Sequence, residues 1–401
     1  MLELIQNGGV TTPKGYIAGA ISAGLKSEIG ALDLAILYSE KEADLASVFT
    51  TNKIESPSVT LSRKRSTDLK AHGVVVNSGC ANCSVGSHGF TDAQEMTSLA
   101  ANIFNINPEK MLICSTGKIG VELPMALIRQ NINNIVLNEE GGEDFSKAIM
   151  TTDTYNKQFA VTIEIDEVKV TIGGAAKGSG MIHPDMATML GFITTDANVE
   201  GRFFQESLKK AVDISFNMID VDGDQSTNDT VLGFANGVSG NVNISKDSIY
   251  AEQFQEALNY VCIELAKSLV IDGEGAQTLI EVEVQGAKSF EDAAKASRGI
   301  ASSNLVKAMV HGKDPNWGRI MMALGKTGSE MVEDKIDIFI NDIHIVHEGK
   351  AIPYFNEAVL GAMKSEKVIF KISLNVGESK ATAWGCDLTE EYVIFNSAYT
   401  T

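Results

Sequence analysis

Apolar residues alternate in some stretches of the chain and recur every three or four positions in others. Alternating or short continuous apolar runs predict strands at Ala31–Leu37, Ala46–Thr50, Gly73–Asn77 and Met111–Ile113. Phe159, Val161, Ile163 and Ile165 alternate, Asp166-Glu167 turns the chain, and Val168, Val170 and Ile172 alternate again, which predicts a hairpin. More strands are predicted at Leu279–Gln285, at Ile336–Ile340 and Ile343–Val346 around Asn341-Asp342, at Val368–Leu374 and at Tyr392–Phe395. Helical spacing predicts a helix capped by Thr91, with Met96, Leu99, Ala100 and Ile103 as its stripe. It predicts others over 123–136, 202–218, 251–270, 303–310, 319–324 and 355–363. The pattern is that of a mixed α/β (α+β) protein with prominent antiparallel hairpins.

One stretch breaks both periods. Gly173–Asn198 reads GGAAKGSGMIHPDMATMLGFITTDAN, with Gly173, Gly174, Gly178 and Gly180 bracketing Lys177 and an apolar run around Thr188. Glycine is used where backbone turns with positive φ or approaches another group closely. The stretch reads as a site with Thr188 as the acting residue; a glycine-rich turn feeding a core strand accounts for it equally well.

Composition narrows the class. With 401 residues, 44% hydrophobic and 21% charged, the chain has material for two domains or one large one and is not disordered. Its net charge of −19, with no basic cluster, argues against non-specific nucleic-acid binding. No apolar run approaches the roughly 18 residues of a membrane span, and the first residues lack the pattern of a signal peptide. Five scattered cysteines do not make a disulfide scaffold. A cytoplasmic protein with reduced thiols is expected.

Nucleotide and metal chemistry find little support. Gly325-Lys326-Thr327 resembles the end of a phosphate loop, but Ile320 stands where that loop needs glycine. Cys80 and Cys83 with His88 lack a second ligand pair. His344 and His347 lie three apart on a predicted strand and so should face opposite ways. Asp220, Asp222 and Asp224 start like a calcium loop that lacks its glycine. Gly178-Ser179-Gly180 has the wrong spacing for a nucleophile elbow. Thr188 could act if its own α-amine took the hydroxyl proton, since such amines have pKa values of about 7.7–8.0. That requires the Ala187–Thr188 bond to be cut, which periodicity does not show.

The run Lys177–Leu190, KGSGMIHPDMATML, resembles the signature of the ornithine acetyltransferase (ArgJ) family of arginine biosynthesis. Phe49-Thr50-Thr51-Asn52, Ser115-Thr116-Gly117, Thr151-Thr152-Asp153-Thr154, Val221-Asp222-Gly223-Asp224, Asp272-Gly273-Glu274-Gly275-Ala276, Asp314-Pro315-Asn316-Trp317-Gly318-Arg319 and the tail Asn396–Thr401 resemble further family motifs, in the family's order. The resemblance implies a layered α-β-β-α architecture of the DmpA/ArgJ-like kind. It implies self-cleavage between Ala187 and Thr188 into an α chain, 1–187, and a β chain, 188–401, assembled as an α2β2 heterotetramer. It further implies a glutamate N-acetyltransferase that uses N2-acetylornithine as donor, in a ping-pong cycle through acetyl-Thr188.

By the same resemblance Thr116 and Gly117 form the oxyanion hole. Thr154, Lys177, Thr188, Glu274, Asn396 and Thr401 surround the substrate. No metal or cofactor is implied, and acetyl-CoA stays open as a second donor. An aminopeptidase or amidase of the same self-cleaving chemistry, or a binding protein that never cleaves, are the rival readings. The chain departs from the family's usual residues at Asp185, Asn156, Lys313, Lys118 and Cys80. Those departures bear on fine specificity.

Overall fold

The computed structural model describes residues 2–183 and 189–398. Its first half supplies strands β1 (Glu3–Leu4), β2 (Tyr16–Ile21), β3 (Leu34–Phe49), β4 (Lys70–Cys80), β5 (Met111–Lys118), β6 (Lys157–Ile165) and β7 (Val168–Lys177). Then follow β8 (Leu190–Thr195), β9 (Ile219–Asp220), β10 (Thr230–Ala235), β11 (Leu279–Ala287), β12 (Asp337–Ile340), β13 (Ile343–His347), β14 (Lys350–Ala351), β15 (Lys367–Ser373) and β16 (Ser379–Cys386). The helices are α1 (Pro57–Arg65), α2 (His88–Phe104), α3 (Met125–Asn131), α4 (Gly142–Ala148), α5 (Gly201–Asp213), α6 (Ala251–Ile271), α7 (Phe290–Ala301), α8 (Asn304–His311), α9 (Trp317–Gly325), α10 (Asn356–Ala362) and α11 (Glu390–Ala398).

The strands form two mixed sheets. One runs β1-β6-β7-β8-β10-β3-β4-β5, with β2 paired to β3; the other runs β14-β13-β12-β15-β11-β16-β9. Helices pack on both, so the class is the expected mixed α/β one with layered sheets. Helix α6 shows how the sequence builds the layer. Its stripe of Phe254, Leu258, Val261 and Leu265 is buried, and the helix lies against β6 and β7 while reaching β9 and β16 of the second sheet.

The strands predicted at Ala31–Leu37 and Ala46–Thr50 are two ends of the single strand β3. Its middle, Glu40-Lys41-Glu42, is exposed, and the pairing with β4 shifts between Tyr38 and Ala43. A polar interruption on a bulged strand reads in sequence as a loop. The strand predicted at Tyr392–Phe395 is instead part of helix α11. Four apolar residues fit either element, and Glu390 and Glu391 in the first turn suit a helix N-terminus. Strand β16 and helix α7 were not predicted, although Ser289 caps α7 by accepting from the Asp292 N–H at 3.1 Å.

The first sheet mixes residues from both sides of the Ala187–Thr188 bond. Strand β7 pairs antiparallel with β8, with Lys177 opposite Leu190, and β8 pairs parallel with β10. A cut at that bond would leave one sheet shared by two chains. Ala187, Thr188 and Asp185 themselves lie outside the described residues, as does Thr401. Among the described residues no helix is long and apolar enough to cross a membrane.

Candidate active site

A cavity of about 380 Å³ opens where β5, the end of β7, the loop after β9, the turn after α6 and helix α11 meet. Thr116, Gly117, Lys177, Glu274 and Asn396 all line it. They come from four pieces of chain, with Thr116 and Gly117 adjacent on β5, and each is placed by local physical chemistry.

Strand β5 runs parallel to β4 and carries Thr116 opposite Ser78 and Gly117 opposite Gly79. Gly117 has φ +126°, and a Cβ there would sit 2.3 Å from the Gly79 carbonyl carbon. Only glycine fits, so the backbone presents Thr116 and Gly117 side by side without a side chain at the second position.

Lys177 closes β7. Its ammonium is fully buried and donates to Thr151 Oγ1 at 2.8 Å and to Thr116 Oγ1 at 3.3 Å. Burial pushes its pKa below the ordinary lysine value, while Asp153 pulls it back up. Burial also opposes ionisation of Asp153, yet the charges of Lys177 and Lys157 hold its carboxyl down at about 2.

Asp153 belongs to a buried ionic network. Lys157 Nζ donates to Asp153 Oδ1 at 2.7 Å and to Asp272 Oδ2 at 2.6 Å, with all three side chains at most 3% exposed. Gly178 N–H donates to Asp153 Oδ1 at 2.7 Å. Buried charges persist only when paired and hydrogen-bonded. This network ties the 151–154 loop, the end of β7 and the end of α6 into one unit.

The α6 end delivers Glu274. Its N–H donates to the Ser179 carbonyl at 2.8 Å, and its Oε2 accepts from Asn396 Nδ2 at 2.7 Å. A Cβ on Gly180 would lie 2.4 Å from the Glu274 carboxyl carbon. The glycine therefore makes room for the acid. Asn396 and Tyr392 are one helical turn apart on α11, so both face the cavity. Tyr392 donates to Asp222 Oδ2 at 3.1 Å.

The residues flanking 184–188 are anchored by carboxylates, one of which, Asp222, lines this cavity. On one side Met181 N–H and Ile182 N–H donate to the Asp222 carboxylate at 2.6 and 3.0 Å. On the other, Met189 N–H donates to Asp229 Oδ1 at 2.8 Å. His183 Nδ1 lies 2.8 Å from Asp220 Oδ2, and Asp220 pairs with the buried Lys307.

Thr154 departs from expectation. It does not line the cavity; its N–H donates to Asp272 Oδ2 at 3.0 Å and its hydroxyl donates to the other carboxylate oxygen. Thr151 and Thr152 of the same motif line the cavity in its place. The Asp272 carboxylate, which accepts from both its N–H and its hydroxyl, turns Thr154 away. Sequence reading also passed over Asn228, which bridges the Ala81 and Ser115 carbonyls at 2.6 and 2.8 Å. Asp222 and Asp220, for which a calcium loop found little support in the sequence, are hydrogen-bond and ion-pair anchors. The five cysteines are free and buried. Arg319, on α9, donates to the Leu305 carbonyl on α8 and does not line the cavity.

Donors gathered on strand ends, facing an acid across a small cavity, suit an acyl group and the oxyanion it forms on attack. The class they define is that of the acyl-transfer enzymes. The chain belongs to the ArgJ family, whose model matches residues 17–401. It is 47% identical to the arginine biosynthesis bifunctional protein ArgJ of Dehalococcoides mccartyi, across 100% of this chain and 99% of that protein. It is also 47% identical to the protein of the same name from Symbiobacterium thermophilum, over 98% of this chain and 99% of the relative. A crystal structure of the Bacillus halodurans protein is 39% identical and superimposes with a TM-score of 0.52, covering 53% of this chain and 100% of that one.

Proposed function

We propose that the chain is an acyltransferase of arginine biosynthesis that moves the acetyl group of N2-acetylornithine to glutamate. One observation carries the reading: Thr116, Gly117, Lys177, Glu274 and Asn396 converge on a cavity where Asp222 anchors the chain before residue 184, while the buried Asp229, next to the lining residue Asn228, holds Met189 after residue 188. Self-cleavage frees the α-amine of Thr188. That amine takes the Thr188 hydroxyl proton as the oxygen attacks the acetyl carbonyl. The oxyanion accepts hydrogen bonds from the Thr116 hydroxyl and the Gly117 N–H. The C–N bond breaks, the leaving ornithine amine takes the proton, and acetyl-Thr188 remains. Glutamate's amine then attacks this ester by the same steps in reverse.

Both substrates carry an α-carboxylate, and Lys177 is its electrostatic partner. Glu274 faces the δ-ammonium of ornithine, with Asn396 and Thr401 completing that end. The acyl carrier is a side chain, so the reaction needs no metal or cofactor; acetyl-CoA serves as donor if the enzyme is bifunctional. The processed enzyme is an α2β2 assembly of chains 1–187 and 188–401, working in the cytoplasm. Glutamate acetylation assayed with N-acetylornithine and with acetyl-CoA as alternative donors tests this. Acetyl transfer to water in preference to glutamate would instead indicate an amidase.

A further inference from the structure

We propose that the outer face of the β12–β13 hairpin carries a divalent-cation site formed by Asp337 Oδ1, His344 Nε2 and His347 Nδ1, suited to Zn2+ or a cation of similar softness. Spacing of three on a regular strand would send the two histidines to opposite faces. The hairpin is not regular. Phe339 faces His344 and Ile340 faces Ile343, but Ile338 faces Val346, so one extra residue is inserted in β13. Ile345 and Val346 are consequently both buried, and the parity of the strand reverses between the histidines. His344 and His347 thus emerge on the same face as Asp337.

The three ligand atoms lie within 4.8 Å of one another. His347 Nδ1 is 2.8 Å and His344 Nε2 is 3.8 Å from Asp337 Oδ1. Two donors of a tetrahedral zinc, each about 2.0–2.2 Å from the ion, stand roughly 3.3 Å apart. Both distances to Asp337 are therefore within about half an ångström of that spacing. A second observation points to a ligand: among the described residues, His344 Nε2 is shut from solvent and has no hydrogen-bond partner. A buried imidazole nitrogen is ordinarily satisfied.

The surroundings hold the donors in place. The His344 ring stacks on Phe339 with centroids 4.2 Å apart. Asp337 accepts from the Glu348 N–H at 3.1 Å and from Asn375 Nδ2 at 3.0 Å, the kind of outer contact that orients a metal ligand. Lys371, opposite Phe339 in the sheet, is turned to Asp342 at 2.9 Å. Binding uses the His347 tautomer that carries its ring proton on Nε2 and offers the Nδ1 lone pair to the cation. His347 is exposed, which leaves the remaining coordination positions to water. None of these residues lines the catalytic cavity.

The test is calorimetric titration of the full-length, chelator-treated protein with ZnCl2, repeated on His347→Gln and His344→Gln. Saturable uptake of one Zn2+ per chain is expected, weakened at least tenfold in each variant. Co2+ should give the visible absorption of a nitrogen- and oxygen-ligated ion in wild type and lose it in His347→Gln. That variant replaces an exposed side chain, and an unchanged melting temperature without metal confirms its fold. No saturable Zn2+ uptake by wild type, or equal affinity in wild type and both variants, would overturn the proposal.

Discussion

The backbone N–H of Met189 donates to Asp229 Oδ1 at 2.8 Å, so the residue that follows Thr188 is held by a carboxylate with no solvent exposure. Burial pushes that carboxyl well above its ordinary pKa, against the opposing Met189 N–H and Lys177 charge. Asp229→Ala removes the acceptor and leaves a buried N–H unpaired, at a cost of about 1–3 kcal/mol. Urea denaturation should show that loss, and a gel time course should show slower appearance of two chains. Asp229→Asn keeps an acceptor oxygen and should be milder on both readouts.

Gly117→Ala should be severe. The added Cβ meets the Gly79 backbone at 2.3 Å, at a φ of +126° that alanine rarely adopts. Loss of an oxyanion donor typically lowers turnover by about 10²–10³-fold. A drop in kcat with little change in KM for acetylornithine is the expected result. Lys118→Val, one residue along but outside the cavity lining, should leave the rates unchanged.

Much of this fold was legible. The hairpin of β6 and β7 and the buried stripe of α6 follow directly from periods of two and 3.6. What escaped depends on contacts distant in sequence. The single residue inserted in β13 reverses the faces of His344 and His347, and no local pattern marks it. Tyr392 became a cavity residue because its segment is helical and lies over Asp222. Thr154 was taken from the Thr-Thr-Asp-Thr motif for a cavity position that Thr151 and Thr152 hold, because the choice depends on which residue faces the buried Lys157–Asp272 pair. Ser289 with Asp292 was a readable cap for α7 that went unused.

Glu274→Gln discriminates between the two half-reactions. The ornithine ammonium would lose a charged partner, worth about 1.5–3 kcal/mol for a hydrogen bond to a charged group, or roughly 10–100-fold in kcat/KM. Hydrolysis of acetyl-Thr188 by water involves no such partner and should be nearly unaffected. Equal losses in both would show that Glu274 supports the fold alone.

Asp153 makes the protein acid-sensitive. Its pKa falls from 3.8 to about 2 on folding, so its contribution is complete above pH 4 and is lost as pH falls from about 4 to 2. A shift of that size corresponds to roughly 2 kcal/mol. Urea melts between pH 2 and 7 should show wild type losing stability in that window. Asp153→Asn should be less stable at pH 7, because Lys157 loses a buried partner, and its melts should change less below pH 4.

The most direct measurement is the intact mass of the purified, active enzyme under denaturing conditions, beside that of Thr188→Ala. Wild type should give two polypeptides, residues 1–187 and 188–401, in place of one chain of 42.9 kDa, while Thr188→Ala should remain whole and inactive. A single full-length species in fully active wild type, or cleavage in Thr188→Ala, would contradict an N-terminal threonine as the nucleophile.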